Sequence, residues 1–175
     1  QRFVQREVAL ETFFSEWTRS VVDRLGGKEI VLIVDETKIE DRFGVMMVGL
    51  ALDQRCIPLA WRIYRANDAQ AYPTEGQVQM ILGLLKAIQR GLAKQQGVRV
   101  LADRGIGTSP ALMRGISELG WNFLFRVTKQ SKIILPNGGA IWFAQQVQQA
   151  GEAYAASGLV FRHRGRVPAH VRVIW

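Results

Sequence analysis

Two aspartates at the carboxyl ends of apolar runs are the residues of this sequence with the clearest potential for chemistry. Asp35 ends the run 29–35, and Asp103 ends the run 98–103. Apolar, β-branched runs of this kind are typical of strands that are buried on both faces of a sheet. If the two strands are neighbours, both carboxylates emerge at one edge of the sheet, where ligands of such sheets bind.

The chemistry that such a pair suggests is the binding of a divalent cation. Two convergent carboxylates repel each other, and a cation between them is the simplest way to keep both ionised. Ligand sets made only of oxygen suit Mg²⁺ or Mn²⁺ rather than Zn²⁺. The competing interpretation is that Asp35 and Asp103 each begin a turn or cap a helix. Gly105 and Gly107 follow Asp103 and allow a close approach by a ligand, but the segment matches neither a Walker nor a dinucleotide motif.

The elements that must position these acids follow from hydrophobic periodicity. Apolar runs predict strands at 29–35, 43–52, 56–64, 98–103 and 121–127. Helical spacing predicts helices at 3–25 and 77–93, and a third that begins at Thr108-Ser109-Pro110 and ends at Gly120. Short connections favour antiparallel pairing of the first three strands, and helical connections favour parallel pairing of the last ones. The sequence therefore predicts an α/β fold with a mixed sheet.

The pattern changes after Lys129. Short strand-like pieces at 132–135, 159–162 and 170–175 surround an Ala/Gln-rich stretch near 141–150, which predicts a β-rich insertion or appended subdomain. Residues 121–175 contain one acid, Glu152, and seven basic residues: Arg126, Lys129, Lys132, Arg162, Arg164, Arg166 and Arg172. Such a region attracts nucleic-acid phosphates, although a solubilising surface is the alternative.

Composition excludes several classes of protein. The chain has 175 residues, a net charge of +8 and 48% apolar residues, which is too apolar for a disordered chain. No apolar run is long enough for a membrane helix. The single cysteine, Cys56, excludes an internal disulfide and is expected to be a buried structural thiol. His163 and His170 lack cysteine partners for zinc, and the tryptophans at 61, 121 and 142 are expected to pack in the core or the insertion, with base stacking as the alternative.

Two segments resemble bacterial insertion-sequence transposases of the DDE type. The run Ile-Val-Leu-Ile-Val-Asp35-Glu-Thr-Lys is similar to the first catalytic strand of that family. The run Val-Arg-Val-Leu-Ala-Asp103-Arg-Gly-Ile-Gly, followed by a helix and Leu-Gly-Trp-Asn-Phe-Leu-Phe-Arg126-Val, is similar to the second catalytic segment. The resemblance covers about residues 28–130 and is looser over 131–175.

The resemblance implies a ribonuclease H-like catalytic core at 28–130, preceded by an N-terminal helix at 1–27 and followed by the start of a β-rich insertion at 131–175. It implies two Mg²⁺ or Mn²⁺ ions held by three carboxylates, with Asp35 bridging both ions and Asp103 holding one. The implied reaction cuts double-stranded DNA at transposon ends and joins the freed 3′ end to target DNA, in a dimer, in the bacterial cytoplasm. The expected DNA contacts are Arg104, Arg126, Lys129, Lys132, Arg162, Arg164 and Arg166.

The sequence departs from the family at the third carboxylate. The family signature places a glutamate on a helix after the insertion, between a Tyr, an Arg and a Lys at fixed spacing, and neither Tyr154 nor Glu152 fits it. We therefore expect the chain to end before its third catalytic acid, as an excerpt, a decayed element or a split product that is inactive alone. The alternatives are a non-catalytic DNA-binding remnant and another metal-dependent nuclease in which Glu36 or Asp68 is the third acid.

Overall fold

Two β-sheets and three α-helices make up the described part of the chain. The computed structural model describes residues 10–25, 29–68, 70, 72–94, 96–161 and 165–174. Among its helices, none has the length and apolarity needed to cross a lipid bilayer.

The first sheet has five strands in the order β3-β2-β1-β4-β5. The strands are β1 (Ile30–Ile39), β2 (Phe43–Leu52), β3 (Arg55–Arg65), β4 (Val98–Ala102) and β5 (Asn122–Phe125). The first three are antiparallel neighbours, whereas β4 runs parallel to β1 and β5 runs parallel to β4. Both pairings agree with the sequence prediction. The bounds of β2 also agree with it.

The helices are α1 (Leu10–Val22), which continues into a 3-10 turn at Asp23–Leu25, α2 (Gly76–Gln89) and α3 (Pro110–Glu118). Helix α3 begins as the sequence predicts. The side-chain oxygen of Ser109 accepts a hydrogen bond from the backbone N–H of Leu112 at 3.3 Å, and Pro110 occupies the first helical position. The part of the first predicted helix at 3–9 lies outside the described residues.

One face of the five-stranded sheet packs against the helices. Ile30, Leu32 and Val34 of β1 are buried and share one core cluster with residues of all three helices. The alternate residues Val31 and Ile33 are only half-buried and do not belong to that cluster. The expectation that β1 is buried on both faces is therefore wrong for the described residues, because their helices cover a single face.

The second sheet is entirely antiparallel, with strand order β7-β6-β8-β9. Its strands are β6 (Lys132–Ile134), β7 (Ala140–Trp142), β8 (Ala153–Val160) and β9 (Val167–Ile174), and a 3-10 turn at Phe143–Gln145 follows β7. This confirms β-structure after the core, but β7 was not predicted and β8 begins six residues before the predicted start at 159. The sheet has its own core of five buried residues, namely Met113, Ile133, Phe143, Val160 and Val167.

The two cores meet at β5. Phe123 and Phe125 pack against both clusters, and Met113 of α3 belongs to the second one. The predicted core role holds for Trp121, which is 8% exposed, and for Trp61, which packs edge-on against Phe14.

Candidate metal centre

The register between β1 and β4 places Asp35 and Asp103 side by side. Val34 pairs with Ala102 in the parallel ladder, so the next residue on each chain is one of the two aspartates. Neighbouring strands lie about 4.8 Å apart. Both aspartates are exposed, and both follow a buried residue and so lie on the sheet face away from the helices. The predicted juxtaposition of the two acids is therefore present in the fold.

The strand that carries Asp35 differs from the prediction. It does not end at this residue, because β1 continues to Ile39 by pairing with β2. The neighbour β4 ends at Ala102, directly before Asp103. Asp103 thus follows the carboxyl end of β4 directly, whereas Asp35 lies in the middle of β1. Pairing with β2 holds the backbone of Asp35 on one side.

The carboxylate of Asp103 also organises its own turn. Its Oδ1 accepts hydrogen bonds from the backbone N–H groups of Gly105, at 2.9 Å, and of Ile106, at 3.2 Å. The interpretation of Asp103 as a turn-forming residue is therefore correct for this oxygen. Its Oδ2 has no hydrogen-bond partner among the described residues, which leaves one carboxylate oxygen for a ligand.

Gly107 brings the turn against the end of β5. Its N–H donates to the carbonyl oxygen of Asp103 at 2.6 Å, and the N–H of Arg126 donates to the carbonyl of Ala102 at 3.0 Å. A Cβ on Gly107 would lie 2.8 Å from the carbonyl oxygen of Arg126. This close approach needs glycine, and it places the backbone of Arg126 next to the loop that carries Asp103 and Arg104.

The expected DNA-contacting residues fall into two groups. Arg104 and Arg126 are exposed and start from the loop after β4 and from the end of β5. Lys132 begins β6 and Arg166 directly precedes β9, both in the second sheet region. Lys129 is exposed in the connection between β5 and β6. Arg162 and Arg164, like His163, lie outside the described residues.

Glu36 faces the helices, away from the two aspartates. Its carboxylate accepts hydrogen bonds from the hydroxyl of Tyr64 and, at 2.7 Å, from the side-chain amide of Gln77 on α2. Burial, followed by the hydrogen bond to Glu36 and its charge, raises the pKa of Tyr64 above its usual range. Neighbouring residues of a strand point to opposite faces, so Glu36 is directed away from a metal held by Asp35. This geometry argues against Glu36 as the third acid.

Asp68, the other candidate third acid, lies in the connection between β3 and α2. Its carboxylate accepts a hydrogen bond from the backbone N–H of Gln70 at 3.0 Å. Within the described ranges no three residues among His, Cys, Asp and Glu are grouped closely enough to hold a metal ion. The donor chemistry of Asp35 and Asp103 fits Mg²⁺ or Mn²⁺, but these two carboxylates make up only part of a ligand set.

Cys56 is exposed, which corrects the expectation of a buried structural thiol. Its Sγ lies over Gly49, since a Cβ on that glycine would be 2.3 Å from the sulfur. Gly49 pairs with Ile33, so the thiol lies on the same sheet face as Asp35. Partial burial, and then the negative charge of Asp35, raise the pKa of the thiol. The thiol starts an edge strand on the face that the described helices leave open, and nothing in the local sequence indicated this.

The face around the acids is apolar and open in the described part of the chain. By register it includes Ile39, Phe43, Ile63 and Leu124, which are 41–64% exposed. None of these four residues belongs to either core cluster. Sheet faces this apolar are normally covered.

The strand order and directions of the first sheet are those of the ribonuclease H-like fold, as the family resemblance implies. The chain is similar to solved structures of the catalytic domain of Mos1 mariner transposase. One, described as the crystal structure of that domain, has 15% sequence identity and a TM-score of 0.39, and the alignment covers 71% of this chain and 62% of that chain.

Two further structures hold the Mos1 transposase catalytic domain and raltegravir. The one with Mg has 17% identity and a TM-score of 0.38, and the one with Mn has 16% identity and a TM-score of 0.40. Each alignment covers 71% of this chain, and 63% and 62% of the other chain respectively. The chain thus spans less than two thirds of the structures it matches. No protein-family model and no curated protein matches the sequence.

Proposed function

We propose that the chain is part of the catalytic core of a DDE-type DNA transposase of the bacterial insertion-sequence kind. The observation that carries this proposal is the β1–β4 register, which makes two exposed aspartates neighbours at the carboxyl end of β4 in a ribonuclease H-like sheet. In this proposal Asp35 and Asp103 are metal ligands. The sequence resemblance around Asp103, Arg104 and the Arg126 strand supports the same assignment.

Each aspartate has a distinct part in this site. Asp35 is held by the β1–β2 ladder, so its carboxylate starts from a fixed backbone position. Asp103 uses Oδ1 to fix its own turn and presents Oδ2 to a ligand. When bound, Mg²⁺ or Mn²⁺ would activate a water or a 3′ hydroxyl and stabilise the leaving oxygen of the DNA phosphate. Arg104 and Arg126 start beside this site and would bind the phosphates of the substrate strand.

A third carboxylate remains part of the proposal. The described residues bring no third acid to Asp35 and Asp103, and Glu36 is turned away by its bonds to Tyr64 and Gln77. The open apolar face beside the aspartates has room for an element that carries such an acid. We expect the residues described here to bind metal but not to complete strand transfer alone. Double-stranded DNA as the substrate, a dimeric assembly and action in the bacterial cytoplasm belong to the same proposal.

The test is a Mn²⁺ titration of the 175-residue chain, followed by electron paramagnetic resonance. Asp35→Asn and Asp103→Asn each remove one ligand charge and are expected to weaken Mn²⁺ binding about tenfold or more, since the number of charged oxygen ligands sets the affinity of such sites. Asp53→Asn is the matched control. Asp53 is an exposed aspartate in the β2–β3 turn with φ of 52°, a conformation that asparagine also adopts.

Equal Mn²⁺ affinity in wild type, Asp35→Asn and Asp103→Asn would contradict the metal site. The second candidate function, a DNA-binding remnant without catalysis, is favoured by the lack of a three-residue ligand group in the described ranges. A plasmid-nicking assay of the full-length protein separates the two functions. The remnant binds DNA without nicking it, whereas the transposase core nicks it in a Mg²⁺-dependent reaction that Asp103→Asn abolishes.

A further inference from the structure

The outward face of the four-stranded sheet carries an open groove of about 600 Å³. Ile134, Leu159 and Pro168 are among its lining residues. Leu159 pairs with Ile134 on one side and with Pro168 on the other, so the three form one apolar row across β6, β8 and β9. The groove lies within the size range of sites that take small ligands or parts of larger ones.

Cationic side chains flank this apolar row on both sides. On one side, Lys132 extends over the ring of Trp142, with its Nζ 5.2 Å from the ring centroid, and Arg166 lines the groove. On the other side, Arg172 lies on the same face of β9, two residues after His170, which lines the groove. Trp142 is 36% exposed, which is unusual for an aromatic residue that only fills a core.

The face carries no carboxylate at the described outward positions of β6–β9. Glu152 is the only acid in residues 121–175, and its side chain accepts backbone hydrogen bonds from Gln148 and Gln149, so it is bound to its own loop. In the described ranges, no ion pair neutralises Lys132, Arg166 or Arg172. The positive charge around the groove is therefore uncompensated and suits an anionic partner.

We propose that this outward face binds single-stranded DNA. The phosphates contact Lys132, Arg166 and Arg172, and the bases lie over the apolar row and on Trp142. In duplex DNA the bases are stacked within the helix, so an apolar floor and an exposed aromatic ring gain contacts only from unstacked bases. This inference rests on the proposed function, in which the DNA substrate has cut strands. It concerns a different sheet from the one that carries Asp35 and Asp103.

The test measures fluorescence anisotropy of a labelled 12-nucleotide oligothymidylate and of a duplex of the same length, in EDTA. Arg166→Ala and Arg172→Ala are each expected to lower the salt dependence of strand binding by about 0.7 in the log–log slope. Trp142→Ala is expected to weaken strand binding about 5- to 100-fold. Ala155→Glu adds a carboxylate opposite Arg172 without removing a packed side chain and is expected to weaken binding as well. Lys86→Ala, an exposed lysine on α2, is the charge-matched control.

Two results would overturn the inference. One is strand binding by Arg172→Ala and Ala155→Glu that equals that of wild type and Lys86→Ala. The other is duplex binding as tight as strand binding and insensitive to Trp142→Ala, which would assign the face to duplex phosphates. A parallel Mn²⁺ titration distinguishes a failure of the strand-binding face from a failure of the proposed metal site. The outward-face variants are expected to bind Mn²⁺ as wild type does, and Asp35→Asn is expected to bind the strand as wild type does.

Discussion

Replacement of Gly107 by alanine tests whether the loop after β4 must pass as close to β5 as the structure shows. The added Cβ would lie 2.7 Å from the carbonyl oxygen of Asp103, 2.8 Å from that of Arg126 and 2.9 Å from Cβ of Phe125. All three distances are below 3.0 Å, closer than Cβ atoms approach their neighbours in proteins. All three neighbours are backbone atoms or are fixed to the backbone, so the two segments must separate.

The expected loss of stability follows from two opposing terms. Overpacking of this kind costs about 1–3 kcal/mol. Alanine has fewer conformations than glycine in the unfolded chain, and this difference offsets about 0.4–1 kcal/mol of the loss. A net loss of about 1–2 kcal/mol corresponds to a fall in Tm of about 2–8 °C for a chain of this size. The movement also displaces the turn of Asp103, so Mn²⁺ affinity is expected to fall with it.

The assay is differential scanning calorimetry of Gly107→Ala beside Gly105→Ala. Gly105 lies in the same loop, and the nearest atom to its added Cβ is Oδ1 of Asp103 at 3.3 Å, a much looser contact than the 2.7 Å at Gly107. We expect Gly105→Ala to melt within about 2 °C of wild type. Equal melting temperatures and Mn²⁺ affinities for the two variants would refute the close packing of the loop against β5.

Three further predictions concern titratable groups. Asp35→Asn removes a charge that raises the pKa of Cys56, so alkylation of the thiol by iodoacetamide at pH 8 is expected to become faster, and an unchanged rate would contradict their proximity. The pKa of Tyr64 is raised in the folded state, so its stabilising effect is complete below the usual tyrosine pKa and is lost as pH rises. Urea unfolding between pH 9 and 11 should therefore show a decline that Tyr64→Phe reduces, and parallel declines would contradict the bond to Glu36. Backbone N–H groups lower the pKa of Glu152, so its stabilising effect is present above the usual glutamate pKa and is lost as pH falls. Glu152→Gln should flatten the stability profile between pH 5 and 3, and unchanged curvature would count against those hydrogen bonds.

Local patterns predicted the elements of the first sheet well. The strand at Phe43–Leu52 and the start of α3 after Ser109 follow from apolar periodicity and capping chemistry. The end of β1 was missed, because residues 36–39 are polar apart from Ile39 and are held as a strand by pairing with β2. Pairing of this kind depends on a partner strand and not on the propensity of the residues themselves.

The second sheet shows the same limit more strongly. Residues 153–158 are mostly alanine, serine and glycine, which favour strands weakly, yet all of them pair with β9. The three residues of β7 are too few for a periodic signal, and they form a strand because they pair with β6. The positive charge of the region, in contrast, could be predicted from composition alone, because it depends only on the numbers of arginine and lysine residues.

The sequence by itself determined which residues are candidates for chemistry: two aspartates at the ends of apolar runs and a basic final third with one acid. Only the tertiary structure decided how they are arranged. It makes Asp35 and Asp103 neighbours through the β1–β4 register, turns Glu36 to the helices and exposes Cys56 on the sheet face of Asp35. The physical reason is that alternating side chains along a strand assign residues to two faces of the sheet but do not decide which face is buried. That choice is made by helices and partner strands that are distant in sequence.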